Sequence, residues 1–159
     1  MTIIICFTFI LIYILSSISI EDANTMLISE NKLILFAISG LLYLICISLS
    51  NEKIDIIDLT INNSLSMIII YITMSYISYI SYKIFGVNSL GMGDIKLSSI
   101  STIWIGIELS FLSLCISFLL SAIYSLHRKI TKRLKPFQQF PFAPFLSIGI
   151  FCSWIIDKI

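Results

Sequence analysis

The residue best suited to take part in a chemical reaction is Asp94, which lies in the segment Gly91–Leu97 (GMGDIKL) directly before a long apolar run. Because Gly91 and Gly93 carry no Cβ atoms, a substrate backbone could approach the carboxylate closely. A helix beginning here would also place its N-terminus, which favours negative charge, beside Asp94. A carboxyl group in such a setting can act as a general acid or base. The same local pattern fits an ordinary N-cap aspartate after a glycine turn, so both interpretations stay open.

The amino-acid composition indicates that the chain that carries this aspartate lies in a membrane. Hydrophobic residues make up 58% of the 159 residues, and the mean hydropathy is +1.03. Charged residues make up 12%, against about a quarter in an ordinary soluble domain. A lipid bilayer accommodates such a chain, and an ionisable residue at membrane depth is costly enough to indicate function. The net charge of +1 argues against a nucleic-acid partner, and the length fits a single domain over residues 1–159.

Six apolar stretches are predicted to cross the membrane. They are Thr2–Ile20, Leu33–Leu49, Leu65–Phe85, Ile95–Ile107, Leu109–Leu126 and Phe140–Ile156. The fourth and fifth come from one run that is too long for a single crossing and is interrupted by Gly106 and Glu108. The first lacks the basic start and the cleavage site of a signal peptide, so we expect it to be retained. The predicted fold is an all-α, polytopic transmembrane bundle of about six helices.

Lysine and arginine residues set the predicted orientation. The basic cluster at His127–Lys135 should lie in the cytoplasm. Counting back through the spans places Glu21–Lys32 and Gly86–Asp94 on the same side. It places Asn51–Asn63 and both termini outside. Asp94 is therefore expected at the cytoplasmic membrane face.

The segment Gly91–Leu97 resembles the GxGD-x-K motif of the type IV prepilin peptidases, a family of bacterial membrane aspartyl proteases. Asp94 matches the second catalytic aspartate of that family. The resemblance implies that Gly91, Gly93 and Lys96 lie where the substrate approaches the site, although Lys96 also fits a lysine that reaches the membrane interface.

Two aspartates compete for the first catalytic position of the family. Asp22 and Asp55 each begin a stretch with the family's spacing, with Ser29 and Asn62 respectively where the family has proline. One predicted span separates Asp55 from Asp94, which places them on opposite sides of the membrane. Two spans separate Asp22 from Asp94, which places them on the same side. Asp22 is therefore the favoured partner, and Asp55 remains the alternative.

A third matching segment precedes the last predicted span. Phe140–Gly149 resembles the PFxPFL segment of the family and contains Pro141 and Pro144. Prolines and aromatic residues at that depth would expose backbone groups to a substrate strand, whereas a simple helix entry is the structural alternative.

The resemblance implies an aspartic-type endopeptidase that removes leader peptides from type IV prepilins or pseudopilins. It implies a bacterial inner-membrane location, a cytoplasmic active site, and a role beside pilus or type II secretion assembly machinery. Longer members carry an N-terminal cytoplasmic insertion with paired cysteines that is associated with N-methylation. This chain resembles the short form without it, so the resemblance does not extend to methyl transfer.

No cofactor or metal site is predicted. The four cysteines are widely separated and form no CxxC pair; they are Cys6, Cys46, Cys115 and Cys152. Two other functions stay open. One is a related GxGD protease of preflagellin or signal-peptide specificity. The other is a non-catalytic membrane subunit or small transporter, with Asp22 and Asp94 lining a polar path.

Overall fold

A computed structural model describes residues 2–50, 56–86, 90–131 and 140–158, and the regular structure in these ranges is entirely α-helical. The helices are α1 (Thr2–Thr25), α2 (Glu30–Ser50), α3 (Ile56–Phe85), α4 (Met92–Ile130) and α5 (Ala143–Lys158). The prediction of an all-α fold is confirmed. Several helices extend beyond the predicted apolar runs, because polar residues continue the helical hydrogen bonding past the hydrophobic stretch; α1, for example, includes the acidic pair Glu21 and Asp22.

Four of the helices, α1 to α4, are long and apolar enough to cross a membrane. The predicted count of six crossings is not confirmed. The stretches predicted at Ile95–Ile107 and Leu109–Leu126 join into the single element α4, and α5 has 16 residues, which corresponds to a length of about 24 Å.

Helix α4 consists of two helical stretches that meet at Gly106, whose φ of 70° and ψ of 179° are not helical. The predicted interruption therefore falls at this residue. Trp104, just before it, contacts Trp154 near the end of α5, with 5.6 Å between ring centroids. Phe118, after it, contacts Phe142 just before the start of α5, with a centroid distance of 5.4 Å. The stretch that follows Gly106 thus runs antiparallel to α5.

The first stretch of α4 forms the centre of the bundle, where Trp104 is nearly inaccessible. Its ring stacks on Phe36 and on Tyr43 of α2, with both centroid distances at 5.6 Å, and its Nε1 donates a hydrogen bond to the Phe36 carbonyl oxygen at 3.1 Å. Each aromatic pair adds about 1 kcal/mol beyond simple burial. These contacts fix the helix that carries Asp94 in its first turn against α2.

The second stretch of α4 packs against α5 through small residues. A Cβ added to Gly149 would lie 2.3 Å from both the Ser113 carbonyl oxygen and Ser117 Oγ, so the two backbones approach closely. Small residues permit such contacts between membrane helices. This close packing sets the position of α5, and therefore of its first residues, relative to α4.

Candidate active site

Asp22 lies in the last turns of α1 and is 5% exposed. Its Oδ2 accepts a hydrogen bond from the backbone N–H of Ala143 at 3.0 Å. Ala143 is the first residue of α5, so the carboxylate sits at the N-terminus of that helix. Free N–H groups and the helix dipole stabilise a negative charge at this position. Asp22 therefore caps a helix that begins 121 residues later in the chain.

Asp94 lies in the first turn of α4 and is 8% exposed. The N-cap residue is Gly91, and Ile95 N–H donates to the Gly91 carbonyl oxygen at 3.2 Å. The interpretation of Asp94 as an ordinary N-cap aspartate is therefore wrong. Its Oδ1 is buried and has no hydrogen-bond partner among the described residues. A buried carboxyl oxygen without a partner is costly and calls for a functional explanation.

The two aspartates come from separate helices and interact electrostatically. The first stretch of α4 runs from Asp94 to Trp104, which contacts Trp154 near the end of α5, while Asp22 contacts Ala143 at the start of α5. Two neighbouring carboxyl groups of this kind can share one proton and divide the roles of acid and base. The alternative partner, Asp55, lies outside the described residues.

The two motif glycines have different surroundings. A Cβ on Gly91 would lie 3.2 Å from Asp94 Oδ2, so this glycine leaves room for the carboxyl group itself. A Cβ on Gly93 would lie 3.0 Å from the Cβ of Ile28. The space beside Gly93 is therefore filled by the connection between α1 and α2 and is not open to a substrate.

The remaining predicted site residues lie around the aspartates. Lys96 Nζ is 2.6 Å from Oε1 of Glu30, the first residue of α2. Pro141 and Pro144 are half-buried and flank Phe142 and Ala143 at the start of α5. The prolines are thus next to the site, but the group that contacts Asp22 is the amide between them. The sequence analysis did not identify this amide, although the two prolines around it mark the start of a helix, where backbone N–H groups are free.

Comparison with known proteins identifies the family of this chain. The chain matches the model of the type IV leader peptidase family over residues 9–126, a range that contains both Asp22 and Asp94. No curated protein and no solved structure gives a significant match. Because the family match covers well over half of the 159 residues, this chain belongs to the type IV leader peptidase family.

Proposed function

We propose that this protein is an aspartic-type endopeptidase that uses Asp22 and Asp94 to remove leader peptides from type IV prepilin-like proteins. The observation that carries the proposal is the meeting of two buried aspartates from separate helices at one end of the bundle. Both lie within the range that matches the leader peptidase family.

The proposed chemistry is hydrolysis without a covalent intermediate. One carboxylate acts as a general base on a water molecule, while the other, protonated, donates to the peptide carbonyl oxygen or to the leaving amine. The surroundings of the two acids support a division of these roles. The Ala143 N–H at the start of α5 stabilises a charged Asp22. The Asp94 carboxyl contacts the backbone of Gly91, but its buried Oδ1 has no donor among the described residues. Asp22 is therefore the proposed base and Asp94 the proposed acid in the resting state.

The proposed location is the cytoplasmic face of a bacterial inner membrane. Lys32 lies near the start of α2, at the end of the bundle that holds the aspartates, and Lys83 lies in the last turn of α3, which precedes α4. His127, Arg128 and Lys129 end α4 at that same side, since Tyr124 contacts Phe140 with 5.8 Å between centroids. Membrane proteins retain basic segments in the cytoplasm, where the leader of an unprocessed prepilin would also lie.

The proposed substrates are prepilins or pseudopilins, which places the protein beside a pilus or type II secretion assembly system. The test is co-expression with a candidate prepilin and measurement of leader removal by gel shift. We expect Asp22→Asn and Asp94→Asn each to lower the rate by about a hundredfold or more, since each removes an acid–base group. Asp55→Asn is the matched control and should cleave at the wild-type rate, with all variants compared at equal membrane abundance.

Each part of the proposal has its own contrary result. Wild-type rates in both Asp22→Asn and Asp94→Asn would exclude an aspartic mechanism at this pair. Loss of cleavage in Asp55→Asn, with Asp22→Asn active, would replace Asp22 by Asp55. Cleavage of a preflagellin leader but not of any prepilin would change the proposed specificity.

A further inference from the structure

The connection between α1 and α2 begins in an unfavourable backbone conformation. Met26 has a φ of 55°, in the left-handed region that residues with a side chain rarely adopt. Its N–H donates to the Asp22 carbonyl oxygen at 2.8 Å, so this turn ends the helix that carries Asp22. Strained backbone persists where surrounding contacts hold it.

Three contacts hold this connection, Met26–Ser29, in place. Ile28 lies against Gly93. Glu21 Oε2 accepts hydrogen bonds from Ser29 N–H at 3.2 Å and from Ser29 Oγ at 3.0 Å. Just after the connection, Glu30 forms the ion pair with Lys96. Two of the three contacts therefore reach the start of α4, on either side of Asp94.

Lys96 is a cation close to the start of α4. It is the fifth residue of the helix and lies just past the first turn, where the helix dipole acts most strongly. Glu30 lies in the first turn of α2, where a carboxylate is favoured. The pair therefore joins the starts of two helices.

We propose that Glu30 and Lys96 are positioning residues that fasten the α1–α2 connection to the start of α4 and thereby set the alignment of Asp22 with Asp94. This inference rests on the proposed function. It assigns Lys96 to the enzyme's own geometry, not to substrate binding. Asp94 is two residues before Lys96, and Asp22 is four residues before Met26, so a shift of the connection moves one acid relative to the other. A misplacement of about 1 Å is enough to slow catalysis strongly.

The energetics make a charge-swap experiment feasible. The Glu30 and Lys96 side chains are 75% and 42% exposed, and an exposed ion pair contributes little to folding stability. Glu30→Lys and Lys96→Glu should therefore leave the protein folded. The thermal unfolding of each variant in detergent checks this directly.

The experiment compares four full-length proteins with one candidate prepilin: wild type, Glu30→Lys, Lys96→Glu, and the double swap. We expect each single variant to lower kcat on the order of tenfold, with KM changed less than about twofold, because alignment and not binding is disturbed. The double swap should recover to within about threefold of wild type, since the pair is restored with reversed polarity. Lys129→Glu, an exposed charge reversal at the same end of the bundle, is the matched control and should retain wild-type kcat.

Three results would overturn the inference. One is wild-type kcat in both single variants. Another is a double swap that shows the product of the two single losses, which means that the residues act independently. The third is a Lys96→Glu defect confined to KM and not recovered by Glu30→Lys, which means that Lys96 binds substrate. Each is distinct from failure of the proposed function, which would appear as undiminished cleavage by Asp94→Asn.

Discussion

At the scale of single residues, the two aspartates differ in what surrounds them. Asp22 accepts a hydrogen bond from the start of α5, so it contributes to the packing of α1 on α5 as well as to the proposed chemistry. At Asp94, Oδ1 is buried without a partner among the described residues, while the carboxyl group contacts the backbone of Gly91. The hydrogen bond at Asp22 therefore links the proposed chemistry to the packing of two helices.

This difference predicts that two substitutions at Asp22 will have unequal effects on stability. Asp22→Asn keeps an acceptor oxygen for the Ala143 N–H, whereas Asp22→Ala leaves that buried donor unpaired. We expect Asp22→Ala to lower the free energy of unfolding by about 0.5–2 kcal/mol, the usual range for a lost helix cap, and Asp22→Asn to lower it less. Thermal unfolding in detergent measures both. Equal losses in the two variants would show that the hydrogen bond to Ala143 does not stabilise the protein.

At the scale of helices, two glycines are required for different physical reasons. Gly149 is required for space, because α4 and α5 approach each other there. Gly106 is required for conformation, because its φ is +70° while open space surrounds the position of a Cβ. One allows two helices to pack, and the other allows α4 to turn back along α5.

Gly149→Ala is expected to lower stability through overpacking. The added methyl group would meet the Ser113 carbonyl oxygen and Ser117 Oγ at 2.3 Å, so α4 and α5 must separate, at a cost of about 1–3 kcal/mol. Ile148→Ala, at an exposed neighbouring position, serves as the control and should change stability by less than about 0.5 kcal/mol. An unfolding temperature of Gly149→Ala equal to that of the control would contradict the close packing.

Gly106→Ala is expected to lower stability without any steric contact. A φ of 70° with a ψ of 179° falls in a region that glycine essentially alone adopts, and forcing another residue into it costs about 1–3 kcal/mol. Unfolding in detergent gives this loss, with the exposed Ile123→Ala on the same helix as the control. Cleavage should fall as well, because the reversal at Gly106 lets the second stretch of α4 return along α5, whose first residue contacts Asp22. Unchanged unfolding and cleavage would mean that the chain turns equally well without glycine here.

The sequence predicted the helices because hydropathy registers apolar runs directly. It also predicted the break near Gly106, since glycine and the charged Glu108 interrupt the longest run. It did not predict that α1 continues through Glu21 and Asp22, because the polar residues at the end of a membrane helix resemble a loop. The hydrogen bond from Ala143 to Asp22 lay beyond its reach as well, because a backbone amide carries no side-chain signature and the contact spans 121 residues.

At the scale of the whole molecule, one end of the bundle holds both the proposed chemistry and most of the described basic residues. Lys32, Lys83, Lys96 and Lys129 lie at the end where α1 finishes and where α4 and α5 begin. Lys158, at the end of α5, lies at the other. This asymmetry predicts a single orientation in the membrane.

The orientation can be tested with reporter fusions. Because α5 begins beside Asp22 and runs away from it, a reporter fused to the C-terminus should lie on the face opposite the aspartates. We expect alkaline phosphatase, which is active outside the cytoplasm, to be active at that position, and a green fluorescent protein to be dark there. A truncation fused after Lys129 should give the reverse pattern, since that residue lies at the aspartate end. If the C-terminal fusion fluoresced and the Lys129 fusion showed phosphatase activity, the aspartates would face outward. A cytoplasmic leader could then not reach them, and the proposed substrate would have to be abandoned even if the two acids proved catalytic.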